Sequence, residues 1–91
     1  MIIEGMINIK EVDIMKTVKI SLNSIDKVKS FVNDITKFDY DFDLVSGRYV
    51  IDAKSIMGIF SLDLAKPIEL NIHAEDEVDT IIEILKPYIV E

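Results

Sequence analysis

Hydrophobic and polar positions alternate along three stretches of the chain, and this period of two predicts half-buried β-strands. The apolar positions of these strands are Val18, Ile20 and Leu22; Tyr40, Phe42 and Leu44; and Ile68, Leu70 and Ile72. Arg48 to Asp52 is predicted to return after the second of these strands as a further strand, the third in chain order. Ser46 and Gly47 form a turn signal between the second and third strands, so these two strands form a hairpin. Pro67 marks the start of the fourth strand, because a missing backbone N–H is tolerated there.

Apolar residues recur at three- and four-residue intervals in two other stretches, which predicts amphipathic helices. The first helix carries this spacing from Ile25 to Ile35, and the last helix carries it from Val78 to Leu85. Asn23 or Ser24 is the predicted N-cap of the first helix, since side-chain oxygens of this kind accept from free helical N–H groups. The last helix is predicted to begin near Glu75.

A short helix between the third and fourth strands completes the pattern. It is predicted to begin after Ser55 and to extend to about Leu62, with Gly58 as a weak point inside it. The element order is therefore β-α-β-β-α-β-α. Strands with one apolar face predict a four-stranded antiparallel sheet with helices on a single face, an α+β open-faced sandwich. Residues 16–91 form this domain, and residues 1–15 form an N-terminal extension of unclear role.

The composition excludes several classes of function. The chain has 91 residues and a formal net charge of −7, with 17 acidic residues against 10 basic ones. Such a surface repels phosphate backbones and acidic lipids, so neither nucleic acid nor a membrane is an expected partner. There is no cysteine, and no apolar run approaches the roughly 18 residues that span a bilayer. We expect a cytoplasmic protein without a metal or other cofactor, and without a signal peptide.

Three segments resemble the HPr family, the small phosphocarriers of the bacterial sugar phosphotransferase system. They are Lys37 to Leu44 (KFDYDFDL), Asp52 to Lys66 (DAKSIMGIFSLDLAK) and Ile72 to Ala74. The second segment is similar to the regulatory-serine segment of Gram-positive members. The likeness covers residues 16 to 91 and implies a strand order of 1-4-2-3. The chain is identified as a divergent member, similar to the catabolite-repression branch of the family.

The family's phosphorylatable histidine is not found where the resemblance places it. Phosphocarriers have a His-x-Arg-Pro motif at the start of the first helix. Here Ser24, Asp26 and Lys27 fall at the positions of the histidine, arginine and proline. A phosphoserine ester is too stable to donate its phosphoryl group, and Asp26 opposes an incoming phosphate by about 1 kcal/mol. These residues are predicted to be a degenerate carrier site, and the protein is predicted not to be an enzyme.

Ser55 is the candidate for regulatory phosphorylation. In the Gram-positive branch the matching serine is phosphorylated by a dedicated kinase, and the product signals to a transcriptional regulator. The resemblance implies a partner-binding surface on the short helix, with Ile59 and Leu62 facing inward; the surface residues are Ile56, Met57 and Phe60. In the simpler alternatives, Ser55 is only a helix cap, or all these apolar side chains are core covered by the N-terminal segment.

His73 is the only histidine of the chain, and its alternation places it on the open face of the fourth strand. Metal binding there would need nearby carboxylates, and the sequence places none beside it. We therefore expect a regulatory protein-binding module, with an HPr-type serine kinase and a transcriptional regulator or phosphotransferase-system protein as partners. The alternatives are a phosphotransfer protein that uses His73, and a structural oligomer subunit in which residues 1–15 complete a sheet edge.

Overall fold

Four strands and three helices occupy residues 15–90, the part of the chain that the computed structural model describes. In chain order they are β1 (Met15–Ile20), α1 (Ile25–Ile35), β2 (Asp41–Ser46), β3 (Tyr49–Asp52), α2 (Ile56–Phe60), β4 (Ile68–His73) and α3 (Val78–Leu85). The predicted β-α-β-β-α-β-α order is confirmed. The predicted N-terminal extension lies outside the described residues except for Met15, with which β1 begins.

The strands form one antiparallel sheet in the order β1-β4-β2-β3, which is the order that the resemblance implies. The central strand β4 sets the register, because Leu70 lies opposite Val18 of β1 and opposite Leu44 of β2. Side chains alternate between the two faces of a strand, so Leu44 and Leu70 both point to the helix-covered face. The three helices pack on this face and leave the other one open.

The buried core consists of the inward side chains of the sheet and the apolar stripes of the helices. Its largest members are fully or almost fully buried: Ile20, Leu22, Val28, Phe31, Ile35, Phe42, Leu44, Ile59, Leu70, Ile72, Ile81 and Leu85. Within residues 15–90, every buried side-chain nitrogen or oxygen has a hydrogen-bond partner. Every helix of this region is too short or too polar to cross a lipid bilayer.

Several element boundaries differ from the predicted ones. Helix α3 begins at Val78 rather than near Glu75, and β1 ends at Ile20 rather than at Leu22. Helix α2 ends at Phe60 rather than near Leu62, because the Ser61 N–H and hydroxyl both donate to the carbonyl of Gly58, at 3.1 and 2.6 Å. This contact closes the last turn. Strand β3 begins at Tyr49 because Gly47 and Arg48 form the hairpin turn, and the positive φ of 61° at Gly47 suits a glycine at the first turn position.

The C-terminal segment covers the outer edge of β1. The Ser21 N–H donates to the Tyr88 carbonyl at 2.8 Å, and the Val90 N–H donates to the Lys19 carbonyl at 2.9 Å. The Tyr88 hydroxyl donates to Asp34 at 3.0 Å. Burial raises the pKa of Tyr88, and the hydrogen bond to the Asp34 carboxylate raises it further.

Lys54 braces the loop before α2. Its ammonium donates to the Phe38 carbonyl at 2.7 Å and lies 5.6 Å from the centre of the Phe42 ring. Its backbone N–H donates to Asp52 Oδ1 at 2.9 Å. The side chain therefore ties the loop that carries Ser55 to the loop between α1 and β2.

Replacing Lys54 with methionine is expected to lower the free energy of unfolding by about 1 to 2 kcal/mol, because a partly buried carbonyl loses a charged donor. Lys86→Met is the matched control: its ammonium forms an exposed pair with Glu83 at 3.1 Å, and such pairs contribute roughly 0 to 1 kcal/mol. Urea unfolding measures both. Equal losses in the two variants would contradict the bracing role.

Alkaline pH is expected to destabilise the protein partly through Tyr88. Its folded-state pKa lies above the usual 10.0, so the unfolded chain releases this proton first. The stabilisation is complete below about pH 10 and is lost as the pH rises through the folded-state pKa. Urea unfolding between pH 8 and 11 should show a smaller alkaline loss in Tyr88→Phe than in the wild type. Parallel pH profiles would refute this assignment.

Candidate functional site

Ser55 lies at the N-terminus of α2, with its side chain exposed to solvent. The backbone is extended there, with φ of −92° and ψ of 102°, and Oγ accepts a hydrogen bond from the Gly58 N–H at 3.1 Å. The Ser55 carbonyl also accepts the first helical bond, from the Ile59 N–H at 3.0 Å. Ser55 is thus the N-cap of α2, and it is exposed to solvent.

Gly58 permits the close approach that this cap requires. A Cβ atom at this position would lie 3.1 Å from Ser55 Oγ and 3.3 Å from Cδ1 of Ile51. Both distances are shorter than ordinary van der Waals contact. Gly58 has a low helix propensity, but its missing side chain leaves the space that the Ser55 cap needs.

Helix α2 has apolar side chains on both its buried and its exposed sides. Ile59 is fully buried, as expected. Ile56, expected on the surface, and Leu62, expected to face inward, are both half-buried against the core. Met57 is 77% exposed and Phe60 is 41% exposed. A five-residue helix cannot turn all of these side chains toward the core. The structure therefore leaves two large apolar residues in solvent, within five positions of Ser55, and adjacent exposed methionine and phenylalanine are typical of contact sites.

The predicted degenerate carrier site lies at the N-terminus of α1. Ser24 is the N-cap, and its Oγ accepts from the Lys27 N–H at 3.1 Å. Asp26 is exposed in the first turn of the helix. The structure brings Ser24, Asp26 and Lys27 together on one turn, where Ser24 acts as a helix cap and no imidazole is present.

His73 lies at the end of β4 on the open face of the sheet. Its Nε2 lies 2.8 Å from Oδ2 of Asp43, and each of the two side chains is 36% exposed. Asp41 lies directly opposite His73 across the sheet. A shallow cavity of about 390 Å³ here is lined by His73 together with Asp41, Asp43, Asp52 and Phe42.

These contacts correct the expectation that His73 has no carboxylate beside it. Asp43 and His73 are 30 residues apart in sequence and meet because β2 and β4 are neighbours in the sheet. The strand alternation places both on the open face, but only the register puts them in contact. Among residues 15–90, no group of three or more histidine, cysteine or acidic side chains is arranged to hold a metal ion.

Comparisons with known proteins agree with this architecture. HPr-C-His from Thermoanaerobacter tengcongensis is 25% identical, with a TM-score of 0.65 over 79% of this chain and 88% of that chain. The phosphocarrier protein HPr from Bacillus anthracis str. Ames is 26% identical, with a TM-score of 0.61 over 84% of this chain and 95% of that chain. A histidine-containing phosphocarrier protein from Mycoplasma has a TM-score of 0.61 at 15% identity, covering 80% and 88% of the two chains, and so shares the fold.

A protein-family match gives the assignment. The family described as the PTS HPr component phosphorylation site matches residues 26–89, whereas no curated protein sequence matches the chain. The family match runs from the first turn of α1 to the segment that covers the edge of β1, and so spans the greater part of the chain. The chain therefore belongs to the HPr family of the phosphotransferase system.

Proposed function

We propose that the protein is a regulatory, protein-binding member of the HPr family with a phosphoserine switch at Ser55. The docking surface consists of Ile56, Met57 and Phe60. The observation that carries the proposal is an exposed Ser55 followed, within five residues, by the exposed apolar side chains of Met57 and Phe60. The partners are an HPr-type serine kinase, and a transcriptional regulator or another protein of the phosphotransferase system.

Phosphorylation of Ser55 would change the charge of the docking surface. A phosphate adds about −1.5 to −2 charges and three strong acceptor oxygens at neutral pH. The nearest basic side chain in sequence, Lys54, already donates to the Phe38 carbonyl, and Asp52 accepts from the backbone of the same loop. The charge of the phosphate is therefore available to a partner, beside the apolar side chain of Met57.

A carrier role at the N-terminus of α1 is disfavoured by chemistry. The segment between β1 and α1 contains no histidine, and the Ser24 hydroxyl is a helix cap. A phosphoserine ester there would be too stable to pass its phosphoryl group onward. Asp26, exposed in the same turn, adds a negative charge where a phosphate would have to bind.

His73 is the remaining candidate for phosphoryl transfer, because it is the only imidazole of the chain. The contact of Nε2 with Asp43 and the position of Asp41 opposite it count against this role. Carboxylates near an incoming phosphoryl group raise its energy. Incubation with phosphoenolpyruvate and the upstream phosphotransferase enzyme tests the alternative, and acid-labile phosphate on the protein would overturn the regulatory proposal.

The proposed switch is tested with an HPr-type serine kinase and ATP, followed by mass spectrometry. We expect one phosphate on Ser55 in the wild type and none in Ser55→Ala. Ser24→Ala is the matched control, because Ser24 is also an exposed N-cap, and each replacement is expected to lower stability by about 1 kcal/mol. The Ser24→Ala variant should retain full phosphorylation at Ser55. Phosphate that persists in Ser55→Ala, or no phosphate in the wild type, would refute the proposal.

The docking surface is tested with the same kinase as the partner. Met57→Ala and Phe60→Ala should each lower the phosphorylation rate at low substrate concentration by roughly tenfold, since central apolar contacts contribute more than about 1 kcal/mol to binding. Ile84→Ala is the control: Ile84 is 37% exposed, close to the exposed fraction of Phe60, but lies on α3. Equal rates in all three variants would place the kinase contact elsewhere on the protein.

A further inference from the structure

The two edges of the sheet differ in how they are covered. The outer edge of β1 is partly covered by the C-terminal segment, through the bonds of Ser21 to Tyr88 and of Val90 to Lys19. The outer edge of β3 pairs with no other strand within residues 15–90. Exposed edges are usually protected by a very short strand, charged side chains, proline or a bulge. Strand β3 is short and ends in an aspartate, but its Tyr-Val-Ile run has no charge, proline or bulge of its own.

The backbone groups on the outer side of β3 follow from its register. The Ala53 N–H donates to the Phe42 carbonyl at 2.8 Å, so these opposite residues form a hydrogen-bonded pair. Hydrogen-bonded and non-hydrogen-bonded pairs alternate along an antiparallel ladder. The pair of Val45 with Val50 is therefore non-hydrogen-bonded. The N–H and C=O of Val50 consequently point away from β2, toward the free edge.

This edge is complementary to itself. If two copies of β3 pair in antiparallel fashion about a two-fold axis at Val50, the two Val50 residues exchange both of their free backbone bonds. The same register, continued one residue beyond β3 into the hairpin turn, places Arg48 of each copy opposite Asp52 of the other. Each contact then occurs twice, Arg48 with Asp52 and Asp52 with Arg48, as in any two-fold symmetric interface.

The side chains along the edge are suited to the same contact. Tyr49 and Val50 are 66% and 63% exposed. Tyr49 lies on the helix-covered side, where it lines a groove of about 260 Å³ with Ile51, Ser61 and Leu62. In the register centred on Val50, Tyr49 of one copy lies opposite Ile51 of the other, at this groove. Pairing would therefore cover apolar surface as well as satisfy backbone groups.

We propose that the chain forms a two-fold symmetric dimer by antiparallel pairing of the β3 edges, with Val50 on the axis and Arg48 facing Asp52. The occupant of the edge is a second copy of this chain, because the edge has a basic residue, Arg48, at one end and an acidic residue, Asp52, at the other. In an antiparallel pair of edges, each of these residues faces its opposite charge. The strand is four residues long and each chain has a net charge of −7. The dimer is therefore expected to be weak.

Charge exchange at the two ends of the edge tests the proposal on the full chain. In a dimer of the Arg48→Glu variant, an acidic residue 48 faces the acidic residue 52 at both ends of the edge. In a dimer of the Asp52→Lys variant, a basic residue 48 faces a basic residue 52 at both ends. We expect each single variant to dissociate about tenfold more readily than the wild type in sedimentation equilibrium. An equimolar mixture of the two variants should regain the wild-type affinity, because every facing pair is then opposite in charge.

Circular dichroism and thermal unfolding check that each variant is folded, since Asp52 also accepts from the Lys54 N–H. Amide hydrogen exchange gives a second readout: the Val50 amide should gain protection as protein concentration rises, whereas Ile51, in a hydrogen-bonded pair with Leu44, should be protected throughout. A wild type that stays monomeric at its highest soluble concentration overturns the proposal. So does a dimer whose affinity is unchanged in both single variants, since its interface must then lie elsewhere.

Discussion

Burial of a single face of the sheet is the constraint on which the rest of the molecule depends. The central strands β4 and β2 supply Ile68, Leu70 and Ile72, and Phe42 and Leu44, to one continuous apolar layer. A shift of either strand by one residue would turn this whole set toward water. The register is therefore held firmly, and with it the positions of the two loops that meet through Lys54.

The candidate site results from the limits of a short helix anchored on that core. Ile59 fixes α2 by burial, Ser55 caps its start, and Lys54 holds the preceding loop through the Phe38 carbonyl. Five helical residues cannot bury every apolar side chain they carry, so Met57 and Phe60 remain in solvent. A rigid cap next to exposed apolar groups is a suitable arrangement for a surface whose binding is controlled by one added charge.

The open face of the sheet and the free edge of β3 differ in how their charged residues are arranged. On the open face of the sheet, His73 is held by Asp43 and faces Asp41, which makes this face unfavourable for an incoming phosphoryl group. On the edge, Arg48 and Asp52 lie on either side of Tyr49, Val50 and Ile51, an arrangement that matches a second copy of itself. Asp52 also holds the loop that leads to Ser55, so the edge of β3 and the candidate switch share one short segment.

The sequence alone determined the order of the elements and most of the buried apolar positions, because alternation and helical spacing are local properties of the chain. It also placed Ser55 at a helix start and narrowed the first cap to Asn23 or Ser24, since a cap acts within three residues of itself; the structure selects Ser24. The tertiary structure decided that His73 contacts Asp43 and that Lys54 reaches Phe38, because these partners are 30 and 16 residues apart. Such contacts depend on strand register and loop packing, which arise only when the whole apolar face is buried at once.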